Sequence, residues 1–231
     1  MAAHGHAPGP RIPRAGALDS WVFDLDNTLY SVDCDLFAQI DARMGQYIST
    51  LLGVDRAEAR VIQKRYFREH GTTLRGLMLD HGIDPEHYLD FVHDIDLSPV
   101  PPAPALADAL DRLGGRKLVF TNGSAAHAAR VLARLGIAER FEAVFDIAAA
   151  GWLPKPHPDA YRRMLTALGV RARTAALVED SVANLAPAAA LGMTTVWVRP
   201  GRGEDGEPPD HVHHVTDDLA AWLAAVAGES R

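Results

Sequence analysis

The chain has a single cysteine, Cys34, so no disulfide can form within it, and a reducing, cytoplasmic setting is the expectation. That thiol has no basic neighbour to favour its thiolate, so it is read as an inert helical cysteine and not as a nucleophile. No stretch is apolar and long enough to span a bilayer. Residues 1–17 mix proline, glycine and charge without the apolar run of a secretory signal, and are expected to form a disordered tail. Lysines and arginines do not cluster, and 23 of them against 30 aspartates and glutamates leave a net charge of −7. That balance excludes nucleic acid polymers and anionic membranes as main partners. A small anionic substrate would need positive charge placed locally. No internal repeat is present.

What the sequence does contain is enough for one large domain or one domain carrying an insertion: 231 residues, 48% hydrophobic and 23% charged. Short apolar runs at Trp21–Phe23, Leu118–Phe120, Ala143–Phe145, Ala175–Val178 and Thr195–Val198 mostly alternate with helical patterns, which reads as a parallel sheet. Ala128, Val131, Leu132 and Leu135 form one helical stripe, and Tyr161, Met164, Leu165 and Leu168 another. Gly136 and Gly169 close these helices, and Ser124 and Ser181 are placed to open two.

About ninety residues separate the first two strands, far more than a crossover requires. They read as helical: Leu36, Ile40, Tyr47, Ile48 and Leu51 form a stripe that ends near Gly53. Asp55 with Glu58 resembles a capping box. Leu74, Leu77, Met78 and His81 form a third stripe, and Asp84–Pro85 opens a fourth bearing Tyr88, Phe91, Val92 and Ile95. The Pro-rich stretch Pro99–Pro104 then returns the chain to the sheet. The expected organisation is a helical cap domain over 31–98, inserted into a core domain formed by 18–30 and 99–231.

Asp24, Asp26 and Thr28 directly follow the first strand, at the carboxyl edge where open α/β folds bind ligands. Thr121 ends the second strand and leads through Asn122, Gly123 and Ser124 into a helix whose free amides suit phosphate oxygens. Lys155 lies between prolines after the third strand, and Glu179 and Asp180 end the fourth. Each also has a plainer reading: an N-cap, a solvated loop charge, an acidic first turn. Together they supply the nucleophile, acid, phosphate clamp and metal ligands that phosphate-monoester hydrolysis demands, a reaction needing accelerations up to about 10²¹-fold. A carboxylate can attack phosphorus once a cation cancels the anionic repulsion. Magnesium, an oxygen-seeking ion, fits that part, with Asp24 and Asp180 as side-chain ligands. Lys155 would hold Asp24 ionised, and Asp26 can stay protonated if it lies away from the metal.

Gly201, Gly203 and Gly206 spell a nominal dinucleotide fingerprint, but the segment runs into Glu207, Pro208 and Pro209 and no further strand is expected after it. It is assigned to a flexible loop. His211, His213 and His214 precede a terminal helix bearing Leu219, Trp222, Leu223 and Val226, and are read as solvated loop histidines.

F-D-L-D-N-T-L (Phe23 to Leu29), T-N-G-S (Thr121 to Ser124), K-P-H-P (Lys155 to Pro158) and E-D-S (Glu179 to Ser181) resemble, in order and spacing, the haloacid dehalogenase superfamily over residues 20 to about 200. The resemblance implies a Rossmann-like sheet in strand order 5-4-1-2-3 with a mobile cap. It also implies Asp24 as nucleophile, and magnesium on the Asp24 and Asp180 carboxylates and the main-chain carbonyl of Asp26. Thr121 and Lys155 would hold phosphate. Asp26 separates phosphatases of this superfamily from its dehalogenases, whose halide needs no proton. W-V-F-D-L-D-N-T-L-Y (Trp21 to Tyr30) with G-T-T-L-R-G-L (Gly71 to Leu77) is similar to the pyrimidine 5′-nucleotidase group, which implies UMP or CMP as substrate. Thr72, Thr73 and Arg75 would then contact the nucleotide, the alternative being a capped helix start with a surface arginine. A phosphatase or phosphomutase for a sugar phosphate or other small metabolite is the nearest rival, and a non-catalytic phosphate-binding regulator is a rival of another class.

Overall fold

The computed structural model describes residues 18–199 and 207–228. The expected tail over 1–17 and the glycines at 201, 203 and 206 lie outside the described residues. The sheet is formed by β1 (Ser20–Phe23), β2 (Arg116–Phe120), β3 (Ala143–Phe145), β4 (Ala175–Glu179), β5 (Thr194–Val198) and β6 (His214–Thr216). All neighbours pair in parallel, in the order β3-β2-β1-β4-β5-β6. The Rossmann-like order 5-4-1-2-3 thus runs through it, with β6 added outside β5.

A parallel sheet has to be covered on both faces. Successive strand residues point to opposite sides, so Trp21, Phe23, Val119, Val178 and Val196 serve one layer, and Val22, Leu118, Phe120, Leu177 and Trp197 the other. The first layer is closed by α5 (Pro104–Arg112), α6 (Ala125–Leu135) and α9 (Leu219–Gly228), and the second by α7 (Pro158–Ala167) and α8 (Val182–Ala190). Helix α5 starts on Pro104 itself: proline is tolerated at the first helical position because that N–H would lack a partner anyway. Of the two expected serine caps, Ser124 accepts a hydrogen bond from the His127 N–H, whereas Ser181 makes no side-chain cap.

The histidine tract differs from expectation in its last residue. His214 is buried within β6, His213 Nδ1 lies 3.0 Å from the Thr195 N–H, and His211 Nε2 is 3.1 Å from the Val182 carbonyl. Only His214 leaves the expected solvated loop; His211 and the exposed His213 lie in the loop before β6, where their ring nitrogens meet α8 and β5, and a strand does follow the glycine-rich segment. Cys34 lies in a short 3-10 turn, Val32–Cys34, where burial and then Asp33 push its thiol pKa up, away from nucleophilic use.

Between β1 and β2 come α1 (Leu36–Leu52), α2 (Arg56–His70), α3 (Thr73–His81) and α4 (Pro85–His93). They share a core of Ile48, Ala59, Tyr66, Leu74, Leu77, Tyr88, Leu89 and Val92, which Ile147 from the loop after β3 completes. Asp55 and Asp84 accept the first-turn N–H bonds that start α2 and α4. Leu51, grouped by periodicity with the buried stripe, is exposed on the last turn of α1, and Ile95 lies past the end of α4. Among the described residues no helix is long and apolar enough to cross a membrane.

Candidate active site

The β ladder places the site. The Asp24 N–H donates to the Val178 carbonyl at 2.9 Å and the Thr121 N–H to the Phe145 carbonyl at 3.1 Å, so pairing continues one residue beyond β1 and β2. Asp24, Thr121, Glu179 and Asp180 consequently emerge along the carboxyl edge of adjacent strands. Lys155, on the loop between β3 and α7, reaches back across this edge.

Lys155 joins the strand ends. Its Nζ donates to Asp24 Oδ1 at 2.6 Å, Glu179 Oε2 at 2.7 Å and the Phe120 carbonyl at 2.9 Å. The ammonium is buried, and Asp24 and Glu179 are buried with it, so this is a desolvated ion cluster and not a solvated loop charge. Burial alone would lower the Lys155 pKa, but Asp24 and Glu179 hold it well above the ordinary value. The loop is fastened by Asn122, whose amide donates to the Lys155 carbonyl at 3.1 Å and accepts the Lys155 N–H at 2.8 Å. Asn122, expected near the substrate, thus has its side chain occupied in shaping the lysine loop.

Negative charge exceeds positive here. Oxygens of Asp24, Glu179 and Asp180 lie within 4.8 Å of one another. Burial, then Glu179, pushes the Asp24 carboxyl up to about 7 against the pull of Lys155. Burial, then Glu179, likewise pushes Asp180 up to about 9. Lysine alone therefore does not hold Asp24 fully ionised. An all-oxygen, over-charged donor set of this kind fits a hard divalent cation such as magnesium. Glu179 Oε2 binds Lys155 and Oε1 accepts the Ser181 N–H at 3.1 Å, which makes it the counterion of the lysine.

The second carboxylate is held differently. Asp26 Oδ1 accepts the Tyr30 hydroxyl at 2.8 Å and faces His127 Nε2 at 2.9 Å. Burial raises the Asp26 pKa, yet the hydrogen bond and charge of His127 and the hydroxyl of Tyr30 outweigh it and hold the carboxyl below its ordinary value. The protonated Asp26 expected from sequence is therefore not its resting state. Tyr30 and His127 escaped the sequence reading. Tyr30 lies four residues beyond Asp26, and His127 shares the apolar face of α6 with Ala128 and Val131, where periodicity makes it look like core.

On the phosphate side, Thr121 Oγ1 accepts the Gly123 N–H at 2.9 Å, which leaves the hydroxyl proton free to donate. Thr28 donates to Asp24 Oδ2 at 3.0 Å. In the insertion, Thr72 Oγ1 accepts the Arg75 N–H at 3.2 Å as the N-cap of α3, and the buried Thr73 hydroxyl donates to the Gln63 carbonyl at 3.4 Å. Arg75 Nη1 donates to the Trp152 carbonyl at 3.2 Å, tying the start of α3 to the loop that carries Lys155. The structure thus gathers Asp24, Thr121, Lys155 and Asp180 at one edge, gives Thr72 and Thr73 partners within the insertion and ties Arg75 to the lysine loop.

The chain is similar to a phosphate metabolism protein and to phosphatases along most of its length. It is 27% identical over 201 residues to phosphate metabolism protein 8 of Saccharomyces cerevisiae, covering 80% of this chain and 63% of that protein. It is 28% identical over 214 residues to a glyceraldehyde 3-phosphate phosphatase of Methanocaldococcus jannaschii, covering 86% and 92%. In fold it matches the crystal structure of an HAD phosphatase from Thermococcus onnurineus with a TM-score of 0.65 at 20% identity, covering 93% of this chain and all of that one. Residues 19–192, the stretch that carries every strand-end group described above, match the haloacid dehalogenase-like hydrolases, and the chain belongs to that family.

Proposed function

We propose that the protein is a magnesium-dependent phosphatase that hydrolyses small phosphate monoesters through an aspartyl-phosphate on Asp24. The observation that carries this reading is the buried Lys155 ammonium bridging Asp24 and Glu179 beside Asp180. It fixes one carboxylate, Asp24, at a strand end and leaves a net acidic cluster for a cation. Asp24 and Asp180, with the main-chain carbonyl of Asp26, would hold magnesium, which cancels charge on the phosphoryl group when bound. Asp24 attacks phosphorus, the bond to the leaving oxygen breaks, and Asp26 gives that oxygen its proton. Water then attacks phosphorus, Asp26 takes the proton back, and the Asp24–phosphorus bond opens. Asp26, ionised at rest, takes a proton from solvent as the anionic phosphoryl group binds, because added negative charge beside a carboxylate raises its pKa. Thr121 binds a phosphoryl oxygen through its free hydroxyl proton, while the Gly123 N–H, expected to do the same, is held by Thr121 Oγ1; Lys155, bound to Asp24, Glu179 and the Phe120 carbonyl, compensates the phosphoryl charge from beside Asp24. Residues 31–98 act as the cap that shields them from water.

The relative named for glyceraldehyde 3-phosphate favours a short phosphorylated metabolite. Nothing about Thr72, Thr73 or Arg75 singles out a nucleobase, since each already has a partner within the chain. A panel of triose phosphates, phosphoglycolate, hexose phosphates, UMP and CMP decides the class. Preference for the nucleotides would restore the pyrimidine reading, and transfer without phosphate release would mean a mutase. Asp24→Asn is expected to abolish phosphate release, and wild-type protein with magnesium that cleaved no monoester would point to a phosphate-binding regulator.

A further inference from the structure

The two donors on Asp26 converge on one oxygen. Tyr30 and His127 both reach Oδ1, and among the described residues Oδ2 has no hydrogen-bond partner. The Asp26 side chain keeps 20% of its surface exposed while that of His127 keeps 0%. The free oxygen is therefore the one offered to a bound molecule.

His127 is itself held from behind. Its ring stacks on that of His93, the last residue of α4, with centroids 4.3 Å apart and planes 12° from parallel. His93 Nδ1 is 3.1 Å from Ser124 Oγ, and Arg130 of α6 donates to the His93 and Ile95 carbonyls at 2.8 and 2.9 Å. Among the described residues the imidazole makes no other polar contact: His127 Nδ1 is buried without a hydrogen-bond partner. An unsatisfied buried nitrogen costs about 1–3 kcal/mol, so an aliphatic side chain would serve packing better. What the histidine adds is one N–H aimed at Asp26.

We infer that His127 is a positioning residue for the acid–base step: with Tyr30 it fixes Oδ1 of Asp26, so that Oδ2 alone faces the leaving oxygen and then the attacking water. The inference rests on the acid–base role of Asp26 given above. Acid–base catalysis contributes about 10²–10⁴-fold, and Tyr30 remains when the histidine is lost, so His127→Ala should lower kcat about 10–100-fold. KM and inhibition by inorganic phosphate should change less than about 3-fold, since positioning affects the transition state more than ground-state binding. His127→Gln, whose amide N–H lies at similar reach, should recover most of kcat. Tyr30→Phe should lose kcat alone in the same way, and the double variant should approach Asp26→Ala. The assays use the fastest monoester of the panel and p-nitrophenyl phosphate, with melting temperature as the folding control. Unchanged kcat in His127→Ala, a loss confined to KM, or a folded His127→Gln no better than alanine would overturn the inference. If His127→Ala does not fold, Tyr30→Phe and His127→Gln decide it, a normal kcat in Tyr30→Phe or a fully inactive, folded His127→Gln counting against it. Asp26→Ala separates the two levels: if it turns over normally the acid–base role itself fails, whereas a stalled Asp26→Ala beside a normal His127→Ala removes only the positioning role.

Discussion

Lys155 shows how one side chain can be both structure and chemistry. Three acceptors, including two buried carboxylates, surround its ammonium. Removing one partner from a buried ion cluster strands the others, at about 3–5 kcal/mol. Lys155→Met keeps the length and apolar stem but not the charge, and should both abolish turnover and lower stability by about 3 kcal/mol at neutral pH. That loss should shrink on acidification, because protons neutralise the abandoned Asp24 carboxylate. Urea unfolding at several pH values reads it directly, and a variant as stable as wild type would mean that the cluster is not the ion network described. At this scale the sequence was informative where a residue follows a strand. Asp24, Thr121 and Asp180 were legible because strand ends point side chains to one edge, and Lys155 because prolines flank it on the loop after β3. Tyr30 was not, because a tyrosine four residues past Asp26 carries no mark of where its hydroxyl points; nor were His127 and the counterion role of Glu179, whose meaning lies in contacts 101 and 24 residues apart.

Among the elements, strands with apolar β-branched or aromatic runs were readable, and those without were not. The five anticipated strands are present, whereas β6 is only His214, Val215 and Thr216, a polar triplet made into a strand by pairing with β5. Helix α5 hid behind its own proline. The helices of the insertion were legible from their caps and stripes, but not the close approach between α2 and α3. Gly76 of α3 sits so near α2 that a Cβ there would lie 2.3 Å from Tyr66 Cγ. Alanine in a helix normally gains about 1 kcal/mol over glycine. Here the ring cannot swing away, since Tyr66 is fully buried and its hydroxyl is 2.9 Å from His81 Nε2. Overpacking should prevail, so Gly76→Ala is expected to destabilise by about 1–3 kcal/mol. A gain in melting temperature would show that α2 and α3 can separate without cost.

For the whole molecule, the acidic cluster ties stability to pH and cation together. Asp24 and Asp180 have folded-state pKa values raised to about 7 and about 9 from 3.8. A raised carboxyl stabilises the fold fully below its unfolded value and loses that contribution as pH climbs through the folded one. Metal-free protein should therefore lose stability progressively from about pH 4 to about pH 9 on account of these groups. Asp26, held below its ordinary value, acts in the opposite sense and only in acid. A cation that needs the same carboxylates deprotonated competes with protons and stabilises the folded state by mass action. The rise in melting temperature on adding magnesium should thus be larger at about pH 8.5 than at about pH 5.5. Asp180→Asn should flatten the loss in metal-free protein and diminish the magnesium effect together, because one carboxylate underlies both. If magnesium raised the melting temperature equally at both pH values, or did so undiminished in Asp180→Asn, the cation would be binding elsewhere than the cluster at the carboxyl edge.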